Sequence, residues 1–173
     1  GLLLHGAGGL GKSSLAARLC ERLPGYDRLV CVGHVDEFDF LRVLSDQLNN
    51  VEAIQILNTP NLTLKQQLRL LLQGPLDKSP ALFIFDDFEQ NIERGADNAP
   101  LLTANGAAKL KPEALEILAA LLAAIRETAS ESRVIVTSRY TFPLPGPARL
   151  AHEGLGSLRG AELGGDLVEG PGD

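Results

Sequence analysis

The stretch HGAGGLGKSSLA, residues 5–16, restricts the folds open to this chain more than any other. Before it, Leu2-Leu3-Leu4 is a short apolar run ending in turn residues, the pattern of a buried strand. After it, Leu15, Ala16, Leu19, Cys20 and Leu23 recur at helical spacing from Lys12 onward, and Pro24-Gly25 stops the helix. The glycine-rich stretch is therefore a turn from a strand into a helix. Gly6, four residues, Gly11, Lys12 and Ser13 match G-x-x-x-x-G-K-[ST], the Walker A pattern. Each residue type has a chemical reason. Glycines admit positive φ and let backbone N–H groups converge on phosphate oxygens. The start of the following helix turns free N–H groups and its positive dipole end toward the same anion. Lys12 can reach the β- and γ-phosphates, and the Ser13 hydroxyl can ligate Mg²⁺. Gly6, Ala7, Gly8, Gly9, Leu10, Gly11, Lys12, Ser13 and Ser14 are the candidate phosphate cradle. The plainer alternative, a flexible turn with a stray lysine, is disfavoured by the strand before it and the helix after it.

The remaining chain alternates strands and helices. RLVCVGHV, residues 28–35, is β-rich and alternating, so a second strand is predicted there. Asp36 can cap a helix carrying Phe40, Leu41, Val43, Leu44 and Leu48, part of which can continue into residues 49–61. Thr63 with Gln66 makes a capping-box pattern ahead of Leu64, Leu68, Leu71 and Leu72, and Gly74-Pro75 ends that helix. ALFIF, residues 81–85, is a continuous apolar run typical of a strand covered on both faces. Residues 89–111 are polar and punctuated by Gly95, Pro100 and Gly106, and read as a functional or mobile loop. Pro112 opens a helix with a stripe of Leu115, Leu118, Leu121, Leu122 and Ile125, and RVIVT, residues 133–137, is another buried-type strand. After Pro143 only a short strand near residues 148–151 is expected. Together these predict an α/β fold, a three-layer αβα sandwich with a mostly parallel sheet, whose ligands gather at the carboxyl ends of the strands.

A length of 173 residues suggests one domain, expected over residues 1–150, with 151–173 the start of a following segment, incomplete or poorly ordered. At 45% hydrophobic and 22% charged residues the chain can bury a sizeable core. The net charge of −6 comes without a Lys/Arg cluster, which argues against a dedicated nucleic-acid surface. No apolar run approaches the ~20 residues of a membrane span, and no signal-peptide pattern is visible. Cys20 and Cys31 fall on the first helix and in an apolar run, so both read as small core residues in a reduced, cytoplasmic setting. His5, His34 and His152 are not spaced like metal ligands and read as packing or hydrogen-bonding residues. The abrupt first strand and the absence of methionine suggest a piece of a longer chain.

Two further motifs fall at strand ends. Asp86-Asp87 closes the apolar run of residues 81–85, a Walker B arrangement. A carboxylate at a strand tip can hold the Mg²⁺ hydration shell beside Ser13, and a second one can orient or deprotonate an attacking water. Asp86 is assigned to the metal and Asp87 to the water, with Glu89 the other candidate for the water. VTSR ends the strand at residues 133–137, so Ser138 and Arg139 should emerge at the same sheet edge. There Arg139 can touch a γ-phosphate and sense its presence. Aspartates capping a strand in solvent, and a surface arginine paired with an acid, are the plainer alternatives.

GAGGLGKSSLA, LFIFDD and RVIVTSRY together resemble the nucleotide-binding core of the STAND class of signalling ATPases, the NB-ARC or AP-ATPase group. DDFEQN with SRYTFPLP is most similar to bacterial members, some joined to caspase-like CHAT domains and helical repeats. The resemblance covers residues 1–145. It implies a P-loop NTPase sheet of the ASCE type, with the Thr-Ser-Arg strand between the Walker A and Walker B strands. It implies ATP/ADP switching with Mg²⁺, slow hydrolysis, and Arg139 as the sensor. It also implies flanking effector and repeat sensor domains and nucleotide-dependent self-association. The chain differs from the pattern in carrying Ser138 where threonine is common. The resemblance does not extend to the segment before the first strand that helps hold adenine in that group, nor to its helical and winged-helix lid.

Other classes of protein share the Walker A loop. A GTPase normally needs Asn-Lys-x-Asp, which does not occur. A small-molecule kinase would need an acceptor pocket, which residues 89–111 could build. An AAA+ ATPase would need an arginine finger acting across a ring. A nucleotide-binding scaffold without turnover would use the same loop.

Overall fold

The four β-rich runs come together as one sheet because two of them, ALFIF and RVIVT, are apolar on both sides and must be covered on both faces. A computed structural model describes residues 1–144 and 150–155. Its strands are β1 (Leu2–His5), β2 (Asp27–Val32), β3 (Ala81–Asp86), β4 (Arg133–Ser138) and β5 (Ala151–Gly154). All pair in parallel, in the order β2-β3-β4-β1-β5. The helices are α1 (Lys12–Glu21), α2 (Glu37–Leu48), α3 (Val51–Leu57), α4 (Leu64–Gln73) and α5 (Pro112–Glu127), with a short 3₁₀ turn at Phe88–Asn91. The chain is thus an α/β protein with a five-stranded parallel sheet.

Alternation along each strand divides the core between two faces. Leu4, Leu82, Ile84 and Ile135 pack with Ala16 and Cys20 of α1. Leu3, Phe83, Phe85, Val134 and Val136 point the other way, onto Phe40 and Leu44 of α2, Leu68 and Leu72 of α4, and Ile117, Leu118 and Leu121 of α5. Helices therefore lie on both faces. At the β2 edge only the second face is covered. Leu29 and Cys31 are buried, while Val32 is exposed. Gln47 of α2 reaches the open edge of this strand. Its side-chain amide accepts from Val30 N at 2.7 Å and donates to Val30 O at 2.9 Å, as a neighbouring strand would. Both cysteines are buried free thiols, and desolvation pushes Cys31 up to about 12. Among the described residues no helix is long and apolar enough to cross a membrane.

Several boundaries differ from the sequence pattern for local reasons. β2 stops at Val32, short of Val35, because Gly33 turns the chain at φ 78° and its N–H bonds Asp86 O at 2.8 Å. Residues 49–61 do not continue α2. Asn49 adopts a left-handed φ of 44°, and the Asn50 side chain caps a separate helix by accepting from Ala53 N. The expected caps at Asp36 and at Thr63 with Gln66 are present. The buried face of α5 is Ala114, Ile117, Leu118, Leu121 and Ala124, rotated from the predicted leucine stripe; Leu115, Leu122 and Ile125 are only partly covered.

The long polar stretch is not an open loop. Antiparallel bridges join Ile92 to Leu110, Arg94 to Pro100 and Leu102 to Ala108, and Ile92, Ala108 and Leu110 sink into the core. The short strand expected near residues 148–151 lies at Ala151–Gly154, so the sheet runs past the expected boundary at residue 150. Residues 145–149 and 156–173, the latter expected as part of a following segment, lie outside the described residues.

Two outcomes test this architecture. Leu118→Ala, in the fully covered row of α5, should lower unfolding free energy by about 3 kcal/mol in urea titrations, and Leu122→Ala by clearly less. The ring of His5 lies 6.0 Å from that of His152 on the neighbouring strand. Burial first, and then the His152 charge, hold His5 below its ordinary value of 6.5. The unfolded chain therefore binds the proton more readily. The stabilising contribution is complete above 6.5 and is lost as pH falls through the folded-state value. Thermal melting should drop on acidification across that window, and His5→Gln should flatten part of the drop.

Candidate functional site

Parallel register brings the motif residues to one edge. Leu4 is opposite Thr137, His5 opposite Ser138, and Phe85 opposite Val136, so β1, β3 and β4 finish together. The glycine-rich loop leaves β1 at this edge and enters α1. Gly11, the residue before the helix, sits at φ 79°, and Gly9 at φ 78°, a region in which side chains with a Cβ are strained. Gly11 has no side chain to cap the helix, and no acidic residue occupies its first turn. The first intrahelical bond runs from Leu15 N to Gly11 O, so the preceding amides of Lys12, Ser13 and Ser14 have no partner within the helix. The positive end of α1 is thus left open to an anion.

The side chains around that opening are held by specific contacts. Lys12 is largely buried, and its Nζ donates to Gly6 O at 2.8 Å and Ala7 O at 3.0 Å. Ser13 Oγ donates to Asp86 Oδ1 at 2.8 Å, and Thr137 Oγ1 donates to the same oxygen. Thr137 Oγ1 also accepts from Asp87 N at 3.1 Å. One hydroxyl at the end of β4 thereby fixes both aspartates at the end of β3.

The turn after β3 is set by burial of Phe88. Its ring packs edge-on to Phe85 at 5.6 Å and against Phe142 at 5.6 Å. With Phe88 drawn into the core, Asp87 takes a left-handed φ of 54°, which aspartate tolerates better than most residues. Asn91, fully buried, completes the turn. Its Nδ2 donates to Gly33 O and Phe88 O, and its Oδ1 accepts from Val35 N and contacts His34 Nδ1 at 3.0 Å. Gln90 donates to Asp87 Oδ2 and lies against Gly33, where a Cβ would fall 2.9 Å from its Nε2.

Glu89 and Arg139 form the other half of the site. Arg139 Nε donates to Glu89 Oε1 at 2.8 Å, the Glu89 side chain being only 10% exposed and that of Arg139 57%. Glu89 Oε2 is buried and has no hydrogen-bond partner among the described residues. The guanidinium lies along the loop, its Cζ 3.4 Å from where a Cβ on Gly8 would sit.

Gly8, Gly9, Gly11, Lys12, Ser13, Ser14, Asp87, Glu89, Thr137 and Arg139 line one cleft of about 350 Å³. Of the other candidates, Gly6 and Ala7 act through the carbonyls that hold Lys12, and Leu10 packs against Gly6. Asp86 lies beside the cleft, bonded to Ser13, and lines a neighbouring cavity of about 290 Å³. Ser138 departs from expectation. It does not emerge with Arg139 but is fully buried, and its Oγ accepts from Tyr140 N at 3.1 Å to hold the turn. Sequence reasoning missed Thr137, Gln90 and Asn91. A polar residue at the tip of an otherwise apolar strand was the available signal for Thr137; the roles of Gln90 and Asn91 depend on Gly33, which is far away in sequence. No protein-family model and no curated protein matches this chain.

Thr137→Val should leave Asp87 N–H without its acceptor and Asp86 with Ser13 as its remaining donor, costing roughly 2 kcal/mol in urea unfolding. Thr137→Ser, which keeps the hydroxyl, should recover most of that loss.

Proposed function

We propose that this domain binds ATP and ADP with Mg²⁺ over the glycine-rich loop and hydrolyses ATP slowly, as the nucleotide-switch module of a STAND-type signalling ATPase. The observation that carries the reading is the convergence of unpartnered helix-start amides, Lys12, Ser13, Asp87, Glu89 and Arg139 on a single cleft. The strand order supports the finer assignment to a P-loop NTPase of the ASCE type, since β4 lies between β3 and β1.

The donor set fits a polyphosphate with a divalent cation. Loop and helix amides with Lys12 suit phosphate oxygens. Asp86, Asp87 and Glu89 would oppose a highly charged anion entering alone, so the anion needs a cation with it. Ser13 Oγ and the Asp86 carboxylate, already 2.8 Å apart, are the hard oxygen donors that Mg²⁺ takes alongside phosphate oxygens and water. When bound, Mg²⁺ supplies Lewis-acid charge neutralisation of the phosphates.

The chain's own groups then divide the work. The amides and Lys12 bind the phosphates, Lys12 exchanging the Gly6 and Ala7 carbonyls for phosphate oxygens. Arg139 pairs with the γ-phosphate. A cleft carboxylate orients a water and takes its proton while the water oxygen bonds the γ-phosphorus and the bond to the ADP oxygen breaks, giving ADP and phosphate. Asp87 is the first assignment for this role, held by Gln90. Glu89, with its unpartnered Oε2, is the second. On this reading effector and sensor domains flank the module in a longer protein, and the two nucleotide states differ in their contacts to Lys12 and Arg139.

Calorimetry with ATP and Mg²⁺, paired with single-turnover phosphate release, tests the reading. Wild type should bind and release phosphate slowly. Lys12→Ala should weaken binding at least about tenfold. Asp87→Asn should bind without turnover; normal turnover in Asp87→Asn with none in Glu89→Gln would move the proton-accepting role to Glu89. Failure of wild type to bind at millimolar ATP would overturn the assignment.

A further inference from the structure

The Glu89–Arg139 pair points to a regulating element inside the candidate site. Glu89 is nearly buried, and a buried carboxylate needs a counter-charge to remain ionised. Among the described residues its partner is Arg139, through a single hydrogen bond from Nε to Oε1, while Oε2 has no donor there. Arg139 in turn lies along Gly8 of the loop, on the cleft itself. The same guanidinium therefore faces two anions: a fixed internal carboxylate, and any terminal phosphate that extends along the loop.

We infer that Glu89 is an internal competitor for Arg139, and that it sets how strongly the site distinguishes a nucleoside triphosphate from a diphosphate. The inference rests on the nucleotide reading given above. With a diphosphate bound, Arg139 stays on Glu89. A γ-phosphate draws the guanidinium toward itself, and part of the binding free energy goes into breaking the ion pair. Glu89 then loses its counter-charge at the moment a terminal phosphate is present. Asp87 provides an internal contrast. It lines the same cleft with the same charge, but its carboxylate is held by Gln90 and not by Arg139. A general effect of negative charge would act through both acids, whereas competition for Arg139 acts through Glu89 only.

The test compares binding of the imido-bridged, non-hydrolysable ATP analogue with binding of ADP, each with Mg²⁺, by calorimetry on the full chain. Glu89→Gln should tighten the triphosphate analogue about fivefold, the scale of a half-exposed ion pair, and change ADP less than about twofold. Asp87→Asn should shift the ratio of the two affinities much less. Arg139→Ala, at a side chain already more than half exposed, should reduce the preference for triphosphate to what Lys12 alone supplies, and serves if Glu89→Gln does not fold. An unchanged ratio in Glu89→Gln, an equal gain in Asp87→Asn, or an undiminished preference in Arg139→Ala would overturn the competition while leaving nucleotide binding intact. Absence of binding of either ligand to wild type would overturn the nucleotide reading itself, and the competition with it.

Discussion

Asp86 Oδ1 is the point where three elements of the fold are tied together. It accepts from Ser13 at the start of α1 and from Thr137 at the end of β4, while its own backbone ends β3. The bond from Thr137 could not form if β3 and β4 were antiparallel, because the ends of neighbouring strands would then lie at opposite edges. Parallel pairing of β3 with β4 and of β4 with β1 puts all the carboxyl ends together, and the apolar runs that make those strands need cover on both faces. The hydrophobic pattern of ALFIF and RVIVT thus decides the position of the polar cluster, although of these ten residues only Thr137 lines the cleft. The free energy of folding comes mainly from that burial. The polar bonds at the edge contribute less individually, but they fix which way the carboxylates face.

The charge distribution at this edge follows from the same geometry. Two cationic side chains, Lys12 and Arg139, meet three carboxylates, and each cation is already occupied, one by loop carbonyls and the other by Glu89. An anion entering the cleft must therefore displace an internal partner to gain a full cationic contact. On the proposed nucleotide reading, such a site would respond to how many charged oxygens a ligand brings and not merely to the presence of an anion. The pairing behind it joins side chains that no local motif brings together.

What was legible in the sequence was what depends on near neighbours. The strand–turn–helix around Gly11, the cap at Asp36 and the capping box at Thr63 use residues within a few positions of one another, and each occurs where its pattern put it. The apolar runs marked their strands because a strand buried on both faces needs no partner-specific pattern. What was not legible depended on pairing at a distance. The ribbon through residues 92–110 is built from backbone bonds such as Glu93 N to Lys109 O, which leave no side-chain periodicity. The face of α5 was misjudged because leucines look more core-like than alanines. Ala114 and Ala124 are fully buried, while Leu115 and Leu122 are only partly covered. Ser138 was expected at the surface because the strand was read as ending one residue early.

The turn at residues 86–91 carries costs that the rest of the fold does not. Asp87 is a non-glycine residue in the left-handed region, and Glu89 keeps a buried oxygen without a donor. Both are unfavourable, and such features persist only where the surroundings over-determine them. Here Phe88 is locked between Phe85 and Phe142, Asn91 uses both ends of its amide, and Thr137 holds the Asp87 N–H. A chain free to relax could move Glu89 into solvent or extend Asp87 at little loss, since Asp87 is only half-buried and the strand ends beside it. The anchors on either side prevent that. They keep two carboxylates facing a glycine-rich loop at a position that stability alone would not select, and that placement is what the proposed nucleotide chemistry rests on.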